Sequence, residues 1–501
     1  MEGCALDRAG RWGRLVPWCL PATVVGLALF VVLGQGWVGP AGIHFIRQTD
    51  SMAFVVHFRE FGANLFAPGV LDLRNAPDHG AAAGEFPLHY WIIACLERTA
   101  GPMPMAIRWL SLGAVFLALV HFARTVGQLL EARFTGYAIT LTLVGSPVLA
   151  YYTFNHLPDA LVFALVLSGW SLVMPGLVSD RPRFRWAALV LFTLAGAIKA
   201  PAAMHLIAWT VILTLNRPRE PLGVGKASAL LLGIALVGAW HLYARWYNSH
   251  HGTHYFLTWA EPVWAMTPDE QRNTWLLITD YWWTKYLHPS AWHLAGVLCL
   301  LLLLRWRHLA QNERAVLALL WASATAFVLL FFRKFADHDY YFLTLLPAIA
   351  WTLVFGTKAM FPWLRKPWAR TGSAMVWGGL AIASLLLGRL EIHRRTTGAA
   401  RDHARVAPYL SGIHGSIAHM GLPTDARVVV LGDSSANGAL TAVARMGWAF
   451  PGYPAAPEPS VRRMLDMGAT HLLVIDHPTP ELTGHRHLTG TDHWDLWELT
   501  R

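Results

Sequence analysis

The chain has 501 residues, of which 55% are hydrophobic and 14% charged, with 25 tryptophans and a formal net charge of +10. Soluble globular domains carry about 25% charged residues, so this balance excludes that class and indicates a membrane protein. The basic residues fall in small groups between apolar runs rather than on one stripe, which excludes a nucleic-acid partner, and Cys4, Cys19, Cys95 and Cys299 lack the spacing of a zinc site or disulfide framework.

Apolar stretches of spanning length, or nearly so, begin near Pro17, Arg108, Tyr137, Asp159, Trp186, Ala200, Ala227, Ala291, Ala315, Tyr341 and Ser373. The first, 17–38, follows Arg8, Arg11 and Arg14 and is long enough to be a retained anchor rather than a cleaved signal. About eleven spans place the termini on opposite sides, and Lys and Arg in short loops mark the cytoplasmic one. That side receives the N-terminal arginines, Arg124 with Arg133, Arg181 to Arg185, Arg217, Arg219 and Lys226, Arg305 to Arg314, and Lys358, Arg365, Lys366 and Arg370. On the opposite, extracytoplasmic side Arg47, Arg59, Lys199, Arg333 and Lys334 stand as exceptions. Binding of an anionic ligand is one reason for cations there.

Three extracytoplasmic segments, 39–107, 248–290 and everything after 388, are too long to be turns. In the first, Thr49 or Asp50 can cap a helix with Phe54, Phe58 and Phe61 at helical spacing, an amphipathic surface helix. A second interfacial helix is expected over 87–99. Residues 1–389 read as the transmembrane domain and 390–501 as a small extracytoplasmic α/β domain, with buried strands at 426–432 and 471–476 and helices around Leu440 and Val461. The fold class is therefore an all-α polytopic membrane protein with a small α/β C-terminal domain.

Five clusters fall on one side under this topology. They are Asp50 in His44-Phe-Ile-Arg-Gln-Thr-Asp50, Glu85 in Gly84-Glu-Phe-Pro-Leu88, Asp159 in Asn155-His-Leu-Pro-Asp159, Lys199 in Ile198-Lys-Ala-Pro201, and Lys334-Phe-Ala-Asp-His-Asp-Tyr-Tyr341. Ionisable groups at membrane-proximal helix ends are costly unless solvated, paired or bound to a ligand. The bland alternatives are helix capping by Asp50 and Glu85, each worth about 1 kcal/mol, and anchoring of Lys199, Arg333 and Lys334 at lipid headgroups.

At these residues the sequence resembles the membrane-integral GT-C glycosyltransferases, in the branch of protein O-mannosyltransferases and lipid A aminoarabinose transferases. Arg47-Gln-Thr-Asp50 is similar to the family's first extracytoplasmic loop with its catalytic acid, Glu85-Phe-Pro-Leu88 to the start of the second interfacial helix, and 151–159 to the second loop with its own acid. His338-Asp-Tyr-Tyr341, followed by Pro347, resembles a late motif, and Arg445-Met-Gly-Trp448 a C-terminal element. The resemblance covers about two-thirds of the chain. It implies a polyprenyl-phosphate-linked sugar as donor, membrane lipid around it, and an acceptor (protein, lipid A or envelope polysaccharide) at the outer face of the cytoplasmic membrane. Asp50 is then the expected base, with Glu85 and Asp159 orienting it or the acceptor. Lys199, Arg333 and Lys334, backed by Arg47 and Arg59, suit the phosphate leaving group, and His338 and Tyr341 can hydrogen-bond phosphate or sugar. No cofactor is indicated; a divalent metal is an open expectation, since no spacing here is specific for one.

Two readings compete. A transporter or flippase of a lipid-linked or anionic substrate would place polar residues near mid-span rather than at one surface. Gly432-Asp-Ser434 after a strand suggests an esterase nucleophile, but no Asp-x-x-His follows Ser434, which reads as a turn residue.

Overall fold

The computed structural model describes residues 21, 23, 25–30, 39–179, 182–215, 224–256, 260–360, 366–397, 406–453, 457–476 and 482–500. Most of the expected first span, the arginines before it, and the basic loops at 180–181, 216–223 and 361–365 lie outside these.

Two helices of the first long loop come first, α1 (Phe45–Glu60) and α2 (Leu88–Ala100). The apolar runs then form α3 (Ala106–Leu129), α4 (Arg133–Val144), α5 (Pro147–Thr153), α6 (Asp159–Ser179), α7 (Pro182–Ile198), α8 (Ala203–Leu215) and α9 (Val224–His250). Next are α10 (Pro268–Leu276), continuing through a π-helical turn into α11 (Trp283–Tyr286), then α12 (Pro289–Leu304), α13 (Gln311–Phe331), α14 (Phe342–Ala359) and α15 (Pro367–Thr397). Hydrocarbon about 30 Å thick needs about 20 helical residues. Among the described residues five helices are long and apolar enough to cross a membrane, or seven if each of two bent pairs is one span. Of the other expected spans, Asp159–Met174 and Ala200–Thr214 are shorter apolar helices and α7 has 17 residues. The outward side chains include Leu117, Leu231, Leu304 and Ile382, all more than 60% exposed, an apolar coat that water would not tolerate. The chain is a multi-pass membrane protein.

The bends follow from proline. Ser146 accepts a hydrogen bond from the Leu149 amide at the start of α5, Pro147 is the first helical residue, and α4 and α5 meet at 77°. Pro289 does the same after His288, where the chain turns by 100°. Hydropathy reads the region from Tyr137 as one run because proline breaks direction without breaking apolarity, whereas the later span is expected from Ala291, just past the second bend. At the first bend a Cβ on Gly145 would lie 2.3 Å from the backbone carbon of Ser384, so α15 crosses too closely for any side chain.

The tail begins with α16 (Ala407–Met420) and forms a five-stranded sheet in the order β2-β1-β3-β5-β4. β1 (Val428–Leu431) lies parallel to β2 (Gly447–Phe450) and β3 (His471–Ile475), while β5 (Trp494–Glu498) is antiparallel to β3 and to β4 (Arg486–Thr491). The two expected strands are β1 and β3, whose residues are all buried. The expected helices are α17 (Gly438–Val443) and α18 (Pro457–Asp466).

One expectation is corrected. The helix at Phe54 and Phe58 is not an amphipathic surface helix: eleven of the 16 residues of α1 are buried. The tail domain covers the side that hydropathy leaves to solvent, and Phe54, Phe58 and Tyr90 share one hydrophobic core with Val429, Leu440, Leu473 and Leu496. The first loop also pairs with the sheet. Leu73 N–H donates to Gly447 O at 2.7 Å, and Gly447 N–H donates to Leu71 O at 3.0 Å. This explains Arg445-Met-Gly-Trp448, since Gly447 is sandwiched between that segment and β1, where a Cβ would lie 1.7 Å from Val428 O. Gly447→Ala is expected to destabilise by about 3 kcal/mol, the upper range for overpacking, read as a lower melting temperature of the purified chain.

Candidate active site

α1 aims Arg47 and Asp50 from one face, three residues apart. Asp50 lies well inside this helix, whose N-cap is His44, and Thr49 donates its hydroxyl to Ile46 O, so neither residue caps it. Glu85 reaches the same place from the loop before α2, where the Tyr90 hydroxyl donates to Glu85 Oε1 at 3.0 Å. The Arg47 guanidinium stands between the two carboxylates, 3.4 Å from Asp50 Oδ2 and 3.4 Å from Glu85 Oε2, with the Phe256 ring centroid 5.2 Å away. Asp159 opens α6, and Lys199 occupies the break between α7 and α8; their charged atoms approach to 3.3 Å. The Lys199 ammonium also lies 5.6 Å from the Tyr340 ring centroid.

These side chains converge. Arg47, Asp50, Glu85, Asp159, Lys199, Lys334, His338 and Tyr341 all line one cavity of about 800 Å³. It is also lined from within the helices by Val162, Phe163, Val166, Phe327, Phe331 and Pro347. The cavity therefore combines charged side chains from loops and helix termini with apolar side chains of the bundle.

Burial pushes the Asp50 carboxyl up to about 6, against the opposing pull of Arg47 and of a hydrogen bond from Asn437. Burial acts upward on Glu85 too, but Arg47 and Lys199 together overcome it and hold that carboxyl down at about 2. Two carboxylates flanking one arginine thus differ in basicity, and Asp50 is the one able to exchange a proton near neutral pH.

Arg59 and Arg333 do not line the cavity. Arg59 pairs with Glu97 at 2.7 Å and with Glu60 at 2.7 Å, tying α1 to α2. Arg333 pairs with Glu270 at 3.0 Å and approaches Glu261, which also holds Lys334 at 2.5 Å. The cavity is further lined by His205, His241, Arg245, Asn248 and Tyr255, which no motif in the sequence singled out. In the His338-Asp-Tyr-Tyr341 segment the most buried polar group is Asp339, bound by Arg395 at 2.6 Å, the Tyr152 hydroxyl at 2.6 Å and His44 Nε2 at 3.2 Å. The Asp-Ser-Ser segment forms a turn: Ser435 N–H and Oγ–H both donate to Asp433 Oδ1, and the Ala439 amide to Oδ2.

Among the described residues no three His, Cys, Asp or Glu side chains come together as a metal-holding group. Arg47 and Lys199 stand against the cavity's carboxylates instead.

No family model and no curated protein matches the chain in sequence. Solved structures do match in shape. ArnT from Cupriavidus metallidurans bound to undecaprenyl phosphate aligns with a TM-score of 0.59 at 11% identity, over 97% of this chain and 98% of its own. The Archaeoglobus fulgidus oligosaccharyltransferase in the apo form aligns at 0.58 and 8% identity, over 93% of this chain and 70% of its own. The arabinofuranosyltransferase AftD from Mycobacteria aligns at 0.53 and 13% identity, over 95% of this chain and 39% of its own. The architecture built up above therefore shares its fold with these three membrane-protein structures.

Proposed function

We propose that this protein is a glycosyltransferase that moves a sugar from a polyprenyl phosphate to an extracytoplasmic acceptor at the outer face of the cytoplasmic membrane. The observation that carries this reading is the single cavity that brings carboxylates and cations of the loops and helix termini together with apolar side chains of the bundle. That combination suits a lipid phosphate whose tail lies among the spans and whose sugar is presented to the loops. The bound undecaprenyl phosphate of ArnT, a protein of the same fold, supports the same donor class. The N-terminus is then cytoplasmic, and the domain from 390 onward lies outside, bordering the acceptor.

In the reaction the acceptor hydroxyl oxygen bonds to the anomeric carbon as the bond from that carbon to the phosphate oxygen breaks, and the electron pair leaves with the phosphate. Asp50 takes the hydroxyl proton, since its raised basicity matches the task. Glu85, ionised throughout, holds Arg47 and through it the orientation of Asp50. Lys199, Lys334 and Arg245 line the cavity where negative charge would accumulate on the phosphate, with His338 and Tyr341 beside them.

The test is transfer of radiolabelled sugar from polyprenyl phosphate to an acceptor by membranes containing the protein. Release of label from the carrier supports the reading; movement of the lipid between leaflets without release would favour a flippase. Two further outcomes are expected. The rate should fall tenfold per pH unit below about pH 6 as Asp50 becomes protonated, instead of persisting to the pH near 4 of an ordinary carboxylate. Lys199→Met should lower kcat by about 10²- to 10³-fold, the usual cost of removing one preorganised group that stabilises transition-state charge.

A further inference from the structure

The tail domain reaches the cavity's central carboxylate through one side chain. Asn437 lies in the turn after β1, is fully buried, and donates from Nδ2 to Asp50 Oδ1 at 2.8 Å, shorter than the 3.4 Å contact of Arg47 with Oδ2 of the same carboxylate. Its orientation is fixed by its other end. Asn437 Oδ1 accepts the backbone N–H groups of Leu71 and Asp72, each at 3.1 Å, so only the amide nitrogen can face Asp50. The Tyr255 hydroxyl, itself donating to Asp72 Oδ2 at 3.0 Å, takes the second amide proton at 3.1 Å. Every hydrogen-bonding capacity of the side chain is thus used, in contacts that join the tail domain, the first loop and the segment after α9.

The turn is built for this aim. Asp433 is buried and accepts from Ser435 and Ala439, with no cation in hydrogen-bond contact among the described residues; Ser435 Oγ in turn accepts the Gly438 amide at 2.9 Å. Between them Ala436 holds φ at +64°, a conformation that costs a side-chain-bearing residue about 1 kcal/mol or more. Asn437 precedes α17 but makes no side-chain cap, so its amide is given wholly to the loop and to Asp50.

We propose that Asn437 is a positioning residue for the transfer reaction, holding Asp50 Oδ1 so that Oδ2, facing Arg47, is the oxygen that receives the acceptor proton. The tail domain is then part of the active centre rather than an accessory beside it. This rests on the reading of Asp50 as the base. Loss of the Asn437 donor removes stabilisation of the ionised carboxylate, so Asp50 should be harder to deprotonate.

The test reads Asp50 directly. Dicyclohexylcarbodiimide modifies protonated carboxyls in apolar surroundings, and labelling of the Asp50 peptide against pH, followed by mass spectrometry on the full-length chain in detergent, gives its titration midpoint independently of transfer. Asn437→Ala is expected to raise that midpoint by about one to two pH units, the equivalent of one hydrogen bond to a charged group. The acid limb of the transfer rate should move by the same amount, with kcat falling at least tenfold and the KM for the lipid donor unchanged. An unchanged midpoint in a folded variant overturns the proposal. A shifted midpoint in a protein whose wild type transfers no sugar would keep Asn437 as the partner of Asp50 and remove Asp50 as a base. Should the Ala variant not fold, Asn437→Ser is read in the same way; failure of both to fold would make Asn437 a structural residue and overturn the positioning role.

Discussion

Asp50→Asn is expected to lower sugar transfer by about 10²- to 10⁴-fold while the protein remains folded, measured with radiolabelled donor in membranes matched for protein content. The size follows from the role: a base within reach of the acceptor hydroxyl contributes that much, and an amide of the same shape cannot accept the proton. The fold should hold because Asn at this position still offers a carbonyl oxygen to Asn437 Nδ2. Its amide then faces Arg47, a donor against a donor, but Arg47 keeps Glu85 at 3.4 Å and remains paired. Glu85→Gln should act differently. It removes the carboxylate that Arg47 and Lys199 hold ionised, leaves Asp50 as the sole carboxylate in hydrogen-bond contact with Arg47, and makes Asp50 more acidic by withdrawing a neighbouring negative charge. Its acid limb is therefore expected to move to lower pH. A variant Asp50→Asn retaining more than a tenth of wild-type transfer would exclude Asp50 as the base.

The charged end of the cavity was legible because ionisable residues at helix ends in an apolar chain are few and costly, and Asp50, Glu85, Asp159 and Lys199 stood out by that alone. Their sidedness followed from loop charge, and eight of the expected site residues share the cavity. Arg59 and Arg333 were chosen by the same rule and lie outside it, because cations in the loops serve equally to tie one loop helix or segment to another. Asn437 was hidden for a different reason. It is neutral, follows a turn motif that drew attention to Ser434, and meets Asp50 across 387 positions of sequence. The bend at Pro147 was equally hidden, since hydropathy averages over the proline that redirects the chain; at Pro289 the expected span starts in the right place, and what was missed is the helical 268–286 before it. The tail's outer strand β4 carries Arg486 and His487 on an exposed edge, a pattern without a hydrophobic period to betray it.

The largest effect on stability is expected at Asp339, beside the cavity rather than in it. Asp339 is wholly buried, and its carboxylate accepts from Arg395 at the end of the last span, from the Tyr152 hydroxyl and from His44 at the head of α1. One side chain thus joins the first loop, α5 and the final span. Arg395 has only 2% of its side chain exposed, and the described residues give its guanidinium one carboxylate partner. Asp339→Ala leaves that cation in a place water cannot reach, so the loss should be about 3–5 kcal/mol, the cost of breaking a buried ion pair from one side. The measurement is thermal unfolding of the detergent-solubilised protein by tryptophan fluorescence. Removing both charges separates pairing from packing. Because desolvation offsets much of the attraction within a buried pair, Asp339→Leu combined with Arg395→Met should recover a substantial part of the stability that Asp339→Ala loses. It should not restore the placement of His44 and Tyr152, whose hydrogen bonds end on the missing carboxylate. His44 immediately precedes the helix that carries Arg47 and Asp50, and its ring is tied to Asp339 instead of capping that helix. The double variant is therefore expected to melt well above Asp339→Ala and still to transfer sugar slowly, whereas a chain needing Asp339 for stability alone would regain both together.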